Sequence, residues 1–179
     1  PLSRSAIACA VAAGLFLALH FATWITSLSY TSIAASTTLV TTNPLWVTLL
    51  SWVAYKEVPT RRTAIGMAIA LVGGILVGVG GGDSGGSQPW LGNALALVGS
   101  WTVSIYLLLG REAQRRGLGV GGYGIVAYST AALVLLPLPF LFGVGYTGYP
   151  AVVYLYSLLM ALLPQVVGHT VLNWAVHWV

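Results

Sequence analysis

Gln165, His169, Asn173 and His177 recur at every fourth position in a stretch, 117–179, that holds no Asp, Glu, Lys or Arg. On an α-helix such residues lie side by side, and each step drifts by about 40°, so the row winds across one broad face. Amides and imidazoles on that face can donate and accept hydrogen bonds without carrying a fixed charge. Two uses fit: holding a polar solute, or bonding one helix to another. His169 and Asn173, deep in the run, are expected to line a cavity. His177, nearer its end, is expected at a more peripheral level.

A second set lies earlier. His20 is followed at i+4 and i+7 by Trp24 and Ser27, which places the three on one helical face. His20 can contact a solute from that face or simply bond a neighbouring backbone carbonyl, and the sequence favours neither. Trp24, Trp46 and Trp101 could form an aromatic wall able to stack on cationic or aromatic solutes. Asn43-Pro44 falls in the middle of another uncharged run. There a proline removes one backbone donor and frees a carbonyl near position 40, giving a kink beside an amide. Asn93, Ser100 and Ser104 add a weakly polar face to a later run. No carboxylate pair, Ser-His-Asp set or metal cluster can be assembled, so neither catalytic nor metal-ligating residues are expected, and no cofactor. The lone Cys9 excludes an internal disulfide.

The elements that must position these residues follow from the charges. All seven basic residues sit in three places: Arg4, then Lys56, Arg61 and Arg62, then Arg111, Arg115 and Arg116. The stretches 5–55, 63–82, 84–110 and 117–179 hold no charged residue at all, and the chain is only 6% charged and 58% hydrophobic. A soluble surface cannot be built from that composition. With a mean hydropathy of +0.89, the chain reads as an integral, multi-pass membrane protein. Its net charge of +4 marks helix ends and carries no sign of a nucleic-acid partner.

A helix needs about 20 residues to cross the hydrocarbon core. Six spans fit: 6–29, 33–55, 63–80, 90–110, 122–142, and one from about 152 to the end. The glycine-rich segment Gly80–Ser87 between the third and fourth lacks the Gly-Lys-Ser/Thr ending of a phosphate loop and reads as a linker. With six alternating spans every Lys and Arg falls on one face, which is therefore cytoplasmic, and Asp83 falls on the other. Trp52, Trp90 and Trp178 lie near span ends, as interfacial anchors do.

The words Leu19–Tyr30 and Gly168–Val179 read alike and align His20 with His169. They lie in spans of opposite direction separated by five spans, as a repeated five-helix unit requires. Inverted repeats of this kind are an architectural mark of secondary transporters. Tyr30-Thr-Ser-Ile-Ala-Ala-Ser36, Asn43-Pro-Leu-Trp-Val-Thr-Leu-Leu50, Lys56-Glu57 and Gly66-Met-Ala-Ile-Ala-Leu-Val-Gly-Gly-Ile-Leu76 resemble the second half of an EamA repeat of the drug/metabolite transporter superfamily. That resemblance implies ten helices in two inverted halves, of which the six spans here would be helices 3 to 8. Residues 1–82 would close the first repeat, 83–89 would be an external linker and 90–179 would open the second. A chain that starts at Pro1 and stops within an apolar run at Val179 is then expected to be a piece of a longer one, short of two spans at each end.

The family also implies export or exchange of small polar metabolites, often amino acids, or of drugs, in a plasma or inner membrane. The site expected on these grounds comprises His20, Trp24, Asn43, Pro44, Trp46, Trp101, His169 and Asn173. The expected partners are a small-molecule substrate and the lipid bilayer, with a homodimer as one assembly to test. A non-transporting scaffold or receptor subunit on the same fold is the competing reading, and an intramembrane enzyme is not expected.

Overall fold

Hydrocarbon offers no partner to a backbone N–H or C=O, so each apolar run must satisfy its own backbone by coiling into a helix. The computed structural model describes residues 3–80 and 86–177, with the backbone alone at 77–80 and 176–177. Asp83 with most of the glycine-rich segment, Trp178, and the side chain of His177 fall outside the described residues. The chain runs α1 (Arg4–Ser27), α2 (Ile33–Val40), α3 (Asn43–Tyr55), α4 (Arg61–Gly80), α5 (Pro89–Arg115), α6 (Val120–Leu135), α7 (Leu138–Leu141), α8 (Ala151–Met160), a π-helical stretch (Ala161–His169) and α9 (Thr170–His177). Among the described residues there is no strand. The expected all-α architecture is present.

Four helical segments of the described residues are long and apolar enough to cross a membrane: Arg4–Ser27, Pro89–Arg115, Val120–Leu141 and Ala151–Ala175. The 20 residues of α4 and the pair α2 and α3 lie between the first two.

Three runs expected to be single regular helices are interrupted, each at proline. In 33–55 the expected kink is a full break. Ser32 caps α2 by accepting the Ala35 N–H at 3.1 Å. Thr41 ends that helix, Thr42 adopts φ −72°, ψ 1°, and α3 starts afresh at Asn43 with Pro44 in its first turn. Within a continuous helix Pro44 would clash with the carbonyl four residues back, whereas in a first turn its missing N–H costs nothing. In 122–142 the chain breaks at Leu136-Pro137 before the short α7. In the last run Pro164 sits inside the π-helical stretch, whose wider i→i+5 register accommodates a residue without an N–H. A smaller difference concerns α5, which continues past Gly110 to Arg115.

Residues 16–108 form one compact unit. Within it α2 packs on α4. The turn after α1 meets the start of α5: Thr31 Oγ1 donates to Asn93 Oδ1 at 2.9 Å and the Gln88 N–H to the Tyr30 carbonyl at 3.3 Å. His20 bonds to Gly99, so here the second half of α1 runs antiparallel to α5, as alternating spans require. Gly92 makes the approach possible, since a Cβ there would lie 2.7 Å from the Thr31 nitrogen.

Residues 1–15 and 109–179 form a second unit. Here Gly14 lets α1 close on α6, because a Cβ at that position would meet the Ala127 carbonyl oxygen at 2.5 Å. The α9 helix packs against α6, and Tyr123, Ala127 and Ala131 of α6 are buried.

Candidate functional site

The break between α2 and α3 is held against α5 by hydroxyl groups. Thr42, 8% exposed, donates its Oγ1 hydrogen to the Leu39 carbonyl at 2.6 Å. The same oxygen lies 3.1 Å from Ser100 Oγ and accepts the Trp46 indole N–H at 3.2 Å. One turn further along α5, Ser104 Oγ donates to the Asn43 carbonyl at 3.2 Å and to the Ser100 carbonyl at 2.7 Å. Trp46 meets Trp101 edge to face, with ring centroids 5.2 Å apart and planes at 77°. Asn43 and Trp46 are half-buried, while Pro44 and Trp101 are exposed. The broken helix thus presents a carbonyl, an amide and the Trp46 indole to the Trp101 ring and the Ser100 and Ser104 hydroxyls of α5. No ionised group takes part.

The second half of α1 adds His20 and Trp24 to this unit. His20 is 5% exposed and its Nδ1 lies 2.8 Å from the Gly99 carbonyl oxygen. A carbonyl only accepts, so Nδ1 is the nitrogen that carries a proton. Thr102 Oγ1 donates to the same carbonyl at 3.0 Å. The imidazole stacks on Trp24, with centroids 5.6 Å apart and planes at 23°. Trp24 therefore sits against His20, while Trp46 and Trp101 pair with each other. The Trp24 Nε1 is buried and meets no hydrogen-bond acceptor among the described residues. Ser27 lies on the same face, fully buried, with its Oγ 2.6 Å from that of Ser36.

His169 and Asn173 belong to the other unit. His169 closes the π-helical stretch and is half-buried. Asn173, on α9, is 2% exposed. Its carbonyl accepts from Gln114 Nε2 at 3.3 Å and its Nδ2 donates to Tyr128 Oη at 3.4 Å. Because Gln165 and His169 lie in the π-helical stretch, their spacing follows the wider turn. The regular α-helical row expected across 165–177 is interrupted there.

Thr42, Gln114 and Tyr128 were not singled out by residue type and spacing. Thr42 precedes Asn43-Pro44, a signal available only if a new helix is recognised to start there. Gln114 lies among the basic residues that mark the expected loop. Once α5 extends to Arg115, Gln114 turns inward at 6% exposure while Glu112 and Arg116 pair on the outside at 2.7 Å.

Span-length apolar helices, polar groups bonded between them and basic residues confined to their ends define a multi-pass, all-helical membrane protein. Residues 1–79 match the model of the EamA-like transporter family, so this part of the chain is similar to that family of membrane transporters. The match takes in His20, Trp24, Asn43, Pro44 and Trp46 and ends before Trp101, His169 and Asn173. No curated protein and no solved structure matches the chain.

Proposed function

We propose that the chain belongs to a secondary transporter that exports or exchanges small polar metabolites, amino acids and related solutes or drugs, by alternating access across a plasma or inner membrane. The observation that carries the reading is the helix break at Thr41–Thr42, with Asn43, Trp46 and Trp101 beside the α5 serines. Interrupted helices at mid-membrane are where transporters of this architectural type hold their solutes, because freed backbone groups there need a partner. His20, Trp24, Asn43, Pro44, Trp46 and Trp101 form the first group of solute contacts, and His169 and Asn173 the second. The organisation is 1–82 and 90–179 as parts of two inverted repeats joined through 83–89.

Counterflow in proteoliposomes holding the complete protein tests this. Neutral amino acids, other small polar metabolites and aromatic cations should be offered in turn. Saturable counterflow of at least one class, lost in Asn43→Ala at unchanged abundance, supports the proposal. Absence of counterflow for every class would favour the scaffold reading.

A further inference from the structure

The helices α6 and α9 pack together and leave a cavity of about 280 Å³ between them, near the lower end of the volumes that hold small molecules, about 300–1,000 Å³. Glycine keeps it open. Gly121 and Gly124 line it, and a Cβ at Gly124 would already touch the Tyr128 ring at 3.5 Å. Gly121 stands in the first turn of α6, and Ser129, also in the wall, lies about 12 Å further along the axis at about 1.5 Å per residue. The cavity therefore runs from the helix end nearest Arg115 and Arg116 into the span-length part of the helix.

Its polar wall is neutral throughout. Tyr128 and Ser129 of α6 and Thr170 and Asn173 of α9 bring three hydroxyls and an amide to it, and no Asp, Glu, Lys, Arg or His is among its lining residues. Two of these groups meet: Asn173, 2% exposed, donates from Nδ2 to Tyr128 Oη at 3.4 Å. Thr130, next to Ser129 but outside the wall, turns its hydroxyl back to the Val126 carbonyl at 2.8 Å. Ser129 and Thr170 make no such bond among the described residues, so their hydroxyls stay available to whatever the cavity holds. Hydroxyls and an amide both donate and accept. An ion brought here would lose its hydration without meeting a counter-charge.

On the transporter reading above, on which this rests, we infer that the α6–α9 cavity is a subsite for the uncharged part of the solute. It selects a neutral group that both donates and accepts hydrogen bonds, an alcohol or an amide, over any ionised one.

Methanethiosulfonates of similar size and different charge test this on the complete protein in nanodiscs, where both faces are open to reagent. Ser129→Cys and Thr170→Cys each place a thiol in the wall. Thr147→Cys, in the exposed turn after α7, and Leu133→Cys, exposed on α6 and outside the wall, are the controls, all in a Cys9→Ser background. A thiol reacts as its thiolate, which forms in water and not in hydrocarbon. The neutral hydroxyethyl reagent should therefore modify positions 129 and 170 and leave 133 untouched. The rates of the trimethylammonioethyl and sulfonatoethyl reagents, each relative to the neutral one, should be at least about tenfold lower at 129 and 170 than at 147, since an ion in the cavity has no counter-charge. Gly124→Leu, which fills the cavity, should close position 129 to the neutral reagent. Relative rates at 129 and 170 that match those at 147 would overturn the inference. So would an unchanged rate in Gly124→Leu, or no reaction at 129 and 170 with any reagent, as in a groove filled by lipid. Charge discrimination without counterflow of any solute class would withdraw the transporter reading and keep the cavity as a site for neutral ligands. Counterflow without discrimination would withdraw the subsite alone.

Discussion

Thr42→Val tests whether the helix break is fastened to α5 as described. The substitution keeps the shape of the side chain and removes one oxygen, which bonds to Leu39, Ser100 and Trp46 at once. The contact to Ser100 joins two helices, and such contacts in membrane proteins average about 0.6 kcal/mol and reach about 1.7. Leaving the half-buried Trp46 indole N–H without its acceptor adds at most about 1 kcal/mol, the low end of the range for a buried orphan donor. The expected loss is about 1–2 kcal/mol. Ser100→Ala should cost about 0.6 kcal/mol by itself, since Ser100 Oγ is tied to Thr42 in the same bond. Measured by reversible unfolding of the complete protein in mixed micelles, the Thr42→Val/Ser100→Ala double mutant should show a coupling of about 0.6 kcal/mol. Additivity within about 0.3 kcal/mol would refute the bond.

Other outcomes follow from the same geometry. Gly14→Leu should destabilise the unit of 1–15 and 109–179 by more than about 3 kcal/mol, because the branch must enter space held by the Ala127 carbonyl and Thr130. Protease resistance reads this, and a variant as resistant as wild type would remove the α1–α6 contact. Single cysteines in a Cys9→Ser background at 61 and 115 should label from the cytoplasmic side and those at 83 and 146 from the other, as the grouping of all seven basic residues requires. Labelling of 83 and 115 from one side would break the span order. Asn43→Ala and His169→Ala should each lower transport at unchanged abundance, and normal counterflow in both would withdraw them as solute contacts.

The legibility of this chain in its sequence has a physical boundary. Charge-free runs near 20 residues favour helices in a membrane, so the all-helical, multi-pass class was readable from composition and spacing, as was the family likeness around Asn43-Pro44, whereas the helix ends were not: α5 runs past Gly110 to Arg115. Polar residue types within those runs also marked where to look, because an amide or imidazole in hydrocarbon needs a partner. Which partner was another matter. His20 bonding to Gly99 spans 79 positions, and Ser104 bonding to the Asn43 carbonyl spans 61; neither can be read from periodicity, which sees only one helix at a time. The pairing of Trp46 with Trp101 depended in the same way on which helix faces which, whereas Trp24 stacks on His20 within α1 at the i+4 spacing.

Proline divided the two levels of description most clearly. The sequence pointed to a kink at Pro44, since a proline removes one backbone donor, whereas the helix stops and restarts there. Thr42, its hydroxyl oxygen held between Leu39 and Ser100, stands at a full break, and Pro164 stands in a π-helical stretch instead. The local chemistry of proline is the same at both sites. At Thr42–Asn43 the groups that meet the interrupted backbone include Ser104 of α5, 61 positions away, and only the tertiary structure brings them there.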